Sequence, residues 1–326
     1  MQVEQKKSNK SFRFYWITVL VLGLAPYGSV YAEEGGSGHY QPGSIASFID
    51  AVPPEKAFLV RYNLVRYKGS VSPSVSLPIA GSSTTGASAD IWAHGLTMLW
   101  APGWKLGDWN YAMSTTVPLL DAKVDASVES SDFGTRDRSD SLTRMGDIIL
   151  MPLMLNYTVN PDLNVNLRTT FYAPTGDYET GRLANTGKNF WTFEPTAGVA
   201  YMGQKNGREA SVYVGLDFNT KNDKTDYKSG NQFHIDSTFA QHFPFAGGVA
   251  GAGLSGYYYK QVTGDSGDGA TFGDFKAKSV GAGPVISYVR NLGDGEMLSE
   301  LKWLHEFNTT NRLEGDVLLF KLAFKQ

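Results

Sequence analysis

Acid–base chemistry in this sequence would have to come from its histidines and carboxylates. The five histidines are His39, His94, His234, His242 and His305. His234 and Asp236 stand two positions apart, which would place them on one face of a β-strand, where they could couple. A hydrolytic triad also needs a nucleophile that converges on such a pair, and the sequence offers no suitable G-x-S-x-G elbow. We therefore expect His234 to make hydrogen bonds, and we predict no catalytic residue.

The residue types and motifs that are missing narrow the chemistry further. The sequence has no cysteine, which excludes disulfides, thiolate catalysis and thiolate metal sites. It has no Walker loop and no G-x-G-x-x-G motif that opens a helix. We therefore predict no cofactor and no metal site. Residues 33–326 carry a net charge of −6, which argues against a nucleic-acid partner, because such a partner requires a basic patch.

The first 32 residues have the layout of a secretory signal peptide. Four basic residues within positions 6–13 precede an uncharged, mostly apolar run over 14–24. The run is followed by Val-Tyr-Ala at 30–32, so we expect cleavage before Glu33. An uncleaved anchor helix is the alternative, although the apolar run is short for a membrane span. Cleavage would leave 25 basic and 31 acidic residues, a net charge of −6.

The remaining chain is dominated by apolar–polar alternation with a period of two. In 163–172, for example, Leu, Val, Leu, Thr and Phe alternate with Asn, Asn, Arg, Thr and Tyr. A segment of about ten residues with this pattern predicts a strand that can cross a bilayer. About twelve such strands are predicted, at 57–68, 89–100, 108–121, 146–157, 163–172, 190–201, 209–219, 232–242, 247–262, 279–290, 296–307 and 315–325.

The connections between these strands alternate between long and short. The long ones are rich in Gly, Ser, Thr, Asp and Lys and include 69–88 and 122–145, whereas the short ones hold turn formers such as Phe243-Pro244. Outer-membrane barrels have short periplasmic turns and long external loops. The fold class predicted is therefore all-β, a transmembrane antiparallel up-and-down β-barrel over 57–326 with both ends in the periplasm.

The polar face of each strand must point into the barrel, because Arg or Lys on the lipid face costs about 2–4 kcal/mol at mid-depth. Twelve strands leave only a narrow or filled lumen. Segment 33–56 would then be either a plug, with His39, Tyr40, Phe48 and Ile49 as its candidate residues, or a periplasmic extension docked at the mouth. The predicted lumen-lining residues are Arg61, Asn63, Asn164, Asn166, Arg168, Glu194, Asp217, Asn219, His234, Asp236, Glu300 and Lys302.

Several long motifs give the chain a family resemblance. They include GDIILMPLML at 146–155, YAPTGDYETGRLANTGKNFWTFEPTAG at 172–198 and GLDFNTKNDKTDYKSGNQFH at 215–234. Together they resemble the outer-membrane transporter-like family involved in the meta-pathway of phenol degradation. The resemblance covers almost the whole mature chain and implies a barrel that passes aromatic or other hydrophobic compounds. It implies no set of catalytic residues.

These observations predict a passive channel for small hydrophobic compounds, phenol-like ones included, in the outer membrane of a Gram-negative bacterium. Its partners would be the lipid bilayer, the hydrophobic ligand and, during biogenesis, the barrel-assembly machinery. The last strand, 315–325, resembles the C-terminal strand that this machinery reads. Two other classes stay open: a structural or adhesive barrel that binds through its loops and, less favoured, a barrel lipid hydrolase.

Overall fold

The protein is described by a computed structural model that covers residues 34–130, 134–271 and 276–326. The predicted signal peptide at 1–32 lies outside these residues. No helix within them is long and apolar enough to cross a bilayer. The strands are β1 (Ala57–Ser70), β2 (Ser76–Ile79), β3 (Ser82–Ala101), β4 (Lys105–Leu106), β5 (Trp109–Ser130), β6 (Gly134–Met145), β7 (Ile148–Asn160), β8 (Leu163–Ala173), β9 (Thr192–Met202), β10 (Arg208–Asn219), β11 (Gln232–Phe245), β12 (Gly248–Gln261), β13 (Lys278–Asn291), β14 (Glu296–Thr310) and β15 (Glu314–Lys325).

Twelve of these strands form a closed antiparallel ring. Strand β1 pairs with β15 on one side and with β3 on the other. From β3 the ladder passes through β5 and β7 and then, strand by strand, from β8 to β15. The predicted twelve-stranded barrel is therefore confirmed, and the predicted strand bounds differ from the observed ones mainly at the loop side.

Three further strands occupy segments that were predicted as loops or turns. Strand β2 pairs with β3, and β4 pairs with β5. Strand β6 pairs with the second half of β5, from Leu119 to Ser130. The predicted loops 69–88 and 122–145 thus fold partly as sheet. Their polar residues are typical of loops, but beyond the bilayer a two-stranded extension can be polar on its outer face while its backbone groups remain paired.

The turn predicted at Phe243-Pro244 was placed too early. Both residues belong to β11, where they pair with Ala250 and Val249. The reversal falls instead at Ala246 and Gly247, whose φ angles are 47° and 76°. Two successive residues with positive φ are what a tight type I′ hairpin requires. Proline is tolerated near a strand end, so Pro244 does not mark the turn.

The two faces of the strands separate apolar from polar side chains as predicted. In β10, Val212, Val214 and Leu216 point outward and are 37–38% exposed, while Ser211 and Tyr213 are fully buried. Exposed aromatic residues, among them Trp100, Trp104 and Trp191, lie near strand ends, whereas the exposed Trp303 lies at the middle of β14. An outer surface of this kind fits the hydrocarbon core and interfaces of a membrane, in agreement with the predicted outer-membrane location.

A charge on the outer face should be most costly at the middle of a strand. Leu254 lies at the middle of β12 and is 65% exposed, so Leu254→Arg should reduce the free energy of unfolding from vesicles by about 2–4 kcal/mol. Phe245→Arg, at the short-turn end of β11, is the control and should cost about 0–1 kcal/mol. Urea unfolding followed by tryptophan fluorescence measures both, and equal costs would contradict the membrane position given to Leu254.

Candidate functional site

The residues predicted to line the lumen all come from strands of the barrel, and most are buried in its interior. Nine of the twelve are buried, and Arg61, Asn63 and Asn164 are partly buried. The buried nine are Asn166, Arg168, Glu194, Asp217, Asn219, His234, Asp236, Glu300 and Lys302. Their positions follow from strand parity, because inward and outward side chains alternate along each strand. A role in passage remains a prediction for each of them.

Residues 34–56 pass through the interior of the barrel. At the loop side, Glu34 accepts hydrogen bonds from Tyr178 (3.1 Å) and from Asn222 (2.9 Å). At the short-turn side, Ile49 and Val52 join a buried apolar cluster formed by the ends of the strands. The segment therefore extends from the external loops towards the start of β1, and we call it the N-terminal segment.

Asp50 anchors the N-terminal segment electrostatically. Both of its carboxylate oxygens accept hydrogen bonds from Lys321 Nζ at 2.8 Å, and Arg61 Nη1 donates to Oδ1 at 3.0 Å. The backbone carbonyl of Asp50 accepts a further bond from Arg168. Burial alone would raise the pKa of Asp50, but Lys321 and Arg61 outweigh it and hold that pKa well below its usual range.

His39 and Tyr40 join the same segment to further residues of the barrel wall. The His39 ring nitrogens lie 2.6 Å from Thr192 Oγ1 and 2.9 Å from Asp147 Oδ2. Burial lowers the pKa of His39 despite its contact with Asp147. Tyr40 stacks on His234, with ring centroids 3.7 Å apart, and donates a 2.6 Å hydrogen bond to Asp236.

The other two candidate plug residues, Phe48 and Ile49, lie nearer to the short-turn side in the same segment. The backbone N–H of Phe48 donates to Glu209 Oε1 at 2.8 Å, and its ring meets His242 edge-on. Ile49 is buried among the strand ends. All four candidate plug residues thus contact the barrel wall, whereas any effect on passage remains a prediction.

The interior has two chemically different walls. Strands β8–β11, β14 and β15, together with Arg61 of β1, supply the polar and charged groups that contact the N-terminal segment. Facing them, β3 and β5 present small or aliphatic side chains, and a cavity of about 370 Å³ lies between this apolar wall and the segment. The side chains of the apolar wall include Ala89, Ile91, Ala93, Leu120, Ala122 and Val124.

Sequence analysis missed several residues of the interior. Lys321 and Glu306 are buried and lie on the inward face of their strands. Strand parity could have identified both, since Glu306 has the parity of Glu300 and Lys302. Asp50 gave no comparable signal, because it lies outside any strand and its partners come from β1 and β15. The apolar wall was also missed, because its alanines carry little pattern.

Removal of the Asp50 carboxylate should release the N-terminal segment. Asp50→Ala leaves the buried Lys321 without its closest anion, and a broken buried ion pair costs about 3–5 kcal/mol. Hydrogen exchange measured by mass spectrometry should become faster in 40–56 while strands β8–β13 keep their protection. Because the pKa of Asp50 is depressed, the same contact in the unmodified protein should persist above the usual aspartate pKa and weaken only in stronger acid.

Glu55→Ala provides a control in the same segment, since Glu55 is exposed. This variant should leave the exchange of 40–56 unchanged. If Asp50→Ala also left it unchanged, the ion pair would not be the anchor of the segment.

One solved structure of an outer-membrane channel supports this architecture. No curated protein matches the sequence. The crystal structure of an outer-membrane channel from Pseudomonas putida F1 is similar in fold, with a TM-score of 0.62 at 14% identity over 85% of this chain and 96% of that one. A Pseudomonas aeruginosa FadL homologue gives a TM-score of 0.43 at 8% identity, over 83% of this chain and 90% of that one. The CymD monoaromatic hydrocarbon channel gives 0.37 at 6% identity, over 83% and 88%.

The comparison that identifies the chain is a match to a family model. The match extends over residues 74–322, which include all of the barrel except β1 and the end of β15. It agrees with the resemblance carried by the motifs at 146–155, 172–198 and 215–234. The chain belongs to the family described as "Putative MetA-pathway of phenol degradation".

Proposed function

We propose that the barrel is a passive outer-membrane channel for small hydrophobic compounds, monoaromatic ones such as phenols included. The observation that carries this proposal is the apolar wall of β3 and β5 beside the cavity. A channel for sugars or ions would be expected to line its passage with polar groups, as porins do. The proposal includes no catalytic step and no energy source, so the compound would move down its gradient.

The cavity has the size and polarity that a phenol-like molecule requires. Its volume of about 370 Å³ lies within the range of small-molecule sites, roughly 300–1,000 Å³. A dry cavity of about 150 Å³ is already enough for benzene. The ring could lie against Ala89, Ile91 and Ala93, while a hydroxyl group could reach the polar residues on the other side of the cavity, which include Tyr40 and Lys188.

The N-terminal segment would act as a plug that narrows this passage. It is joined to the polar wall through Asp50, His39 and Tyr40, and none of these contacts crosses to the apolar wall of β3. A compound would therefore pass through the gap between the segment and the apolar wall. The hydrogen bonds of Asp50, His39 and Tyr40 would not have to break.

The signal peptide would be removed before Glu33. Glu34 is buried beside Tyr178 and Asn222, which belong to the loop side of the barrel. The position of Glu34 on the loop side supports cleavage, because the inner membrane lies on the other side of the barrel. Recognition of β15 by the barrel-assembly machinery is part of the same proposal.

Uptake of labelled phenol at low concentration, in cells with and without the gene, tests the function. Ala93→Phe should reduce uptake several-fold, because its ring would fill the cavity beside β3. Leu96→Phe is the matched control, since Leu96 lies on the outer face of the same strand and is 48% exposed. It should leave uptake unchanged. Equal uptake with and without the gene, or equal acceleration of phenol and glucose, would refute a hydrophobic channel.

Deletion of 39–54 tests the plug separately. The single-channel conductance of the purified barrel in a planar bilayer should rise, because the segment lies inside the lumen against the polar wall. Full-length Glu55→Ala should conduct like the unmodified protein. Unchanged conductance after deletion would exclude a plug, even if uptake of phenol were established.

A further inference from the structure

Three buried donor atoms converge in the polar wall at the level of Tyr40. They belong to Glu194 on β9, Asp217 on β10 and His234 on β11, which are neighbouring strands. One ligand atom from each residue lies within 4.8 Å of the other two. The three side chains are buried, with exposures of 3%, 2% and 0%.

The hydrogen bonds of His234 leave one ring nitrogen available. Nδ1 lies 3.2 Å from Asp236 Oδ2, and a carboxylate can only accept, so Nδ1 carries the proton. Nε2 has no hydrogen-bond partner among the described residues. Its neighbour is Glu194 Oε1 at 3.5 Å. In the neutral ring, Nε2 therefore directs a lone pair at a carboxylate oxygen, an arrangement that needs a proton or a cation between the two atoms.

The surroundings of His234 match the usual outer shell of a metal-bound histidine. Such a histidine almost always donates its second N–H to a carboxylate or carbonyl group, which fixes the ring. Asp236 has this position and is itself held by Tyr40 and by the backbone N–H of Gly43. Glu194 is oriented in the same way, by hydrogen bonds from Tyr172 (2.7 Å) and Thr196 (2.9 Å).

Distance and space also favour an ion. Ligands about 2.0–2.1 Å from a tetrahedral Zn²⁺ are separated by about 3.4 Å, close to the 3.5 Å between Nε2 and Glu194 Oε1. Gly215 lets the imidazole pack closely against β10, because a Cβ atom at this position would collide with Nε2. The large cavity reaches Glu194 and Tyr40, which gives an ion a route to the site.

Two buried carboxylates share the charge of one imidazole. Glu194 and Asp236 lie beside opposite ring nitrogens of His234, which is the ion-pair partner that the described residues provide for both of them. The hydroxyl groups of Tyr40, Tyr172 and Thr196 donate hydrogen bonds but no charge. Buried carboxylates are costly unless they are paired or coordinate a metal, so a divalent cation would stabilise this wall.

We propose that Glu194, Asp217 and His234 bind one first-row divalent cation, Zn²⁺ or Mn²⁺, in the wall of the barrel. Imidazole together with carboxylates suits these ions. The site is independent of the channel function. Through Asp236 it would fix the surface on which Tyr40 stacks, and so stabilise the docked N-terminal segment.

The purified full-length barrel, first stripped with chelator, is titrated with ZnCl₂ and with MnCl₂, and bound metal is counted by mass spectrometry after dialysis. One of the two metals should bind at one equivalent per chain and raise the thermal unfolding temperature. His234→Gln and Glu194→Gln should each weaken binding at least about tenfold, and Asp236→Asn by roughly 10–100-fold.

His242→Gln is the matched control. His242 also contacts a buried carboxylate, Glu209, at 2.7 Å, but it is not part of the three-ligand cluster. Metal binding that survives in this variant and is lost in His234→Gln supports the site. Absence of binding in the unmodified protein, or equal binding by His234→Gln, would refute it and leave a protonated His234 as the account of the cluster. If His234→Gln does not fold, the proposal is tested by Glu194→Gln and by the titration of the unmodified protein. Equal metal binding by Glu194→Gln and the unmodified protein would then refute the site.

Discussion

The pairing of β1 with β15 is the interaction on which the rest of the structure depends. It joins the two ends of the barrel in register, from Leu59 and Lys325 to Ser70 and Glu314. In hydrocarbon every backbone N–H and C=O must find a partner within the protein, so a sheet can span the membrane only when it is closed. Closure then assigns each side chain of twelve strands either to lipid or to the interior.

The interior must solve a second problem, because many of its side chains are charged. Glu300, Lys302 and Lys321 are withdrawn from water on β14 and β15, and buried charges are expensive unless paired. Strands alone do not complete this pairing. The N-terminal segment adds the Asp50 carboxylate, together with the carbonyl groups of Gly43 and Ile45, which lie 3.4 and 3.0 Å from Lys302 Nζ. The barrel and its segment therefore form one electrostatic unit.

The division of the lumen into two walls follows from this unit. The segment lies against the polar wall, where its polar groups find hydrogen-bond and ion-pair partners. The apolar side chains of β3 and β5 offer no such partners, and a cavity separates them from the segment. A hydrophobic passage and a polar anchor can thus exist side by side in a barrel of only twelve strands. A cation at Glu194, Asp217 and His234 would belong to the anchor and would leave the apolar wall unchanged.

The sequence by itself determined the barrel and the inward face of its strands, because both follow from a local rule, the alternation of side chains along a strand. That rule placed Arg168, His234 and Lys302 in the interior without reference to any partner. It did not show that β5 and β6 continue as a polar sheet, since loop-like composition conceals extended backbone. Only the tertiary structure decided the position of Asp50, the contact of Tyr40 with His234 and the convergence of Glu194 with Asp217. These contacts join residues that are distant in the chain, and they depend on strand register and on the path of 34–56 through the barrel, which no local periodicity encodes.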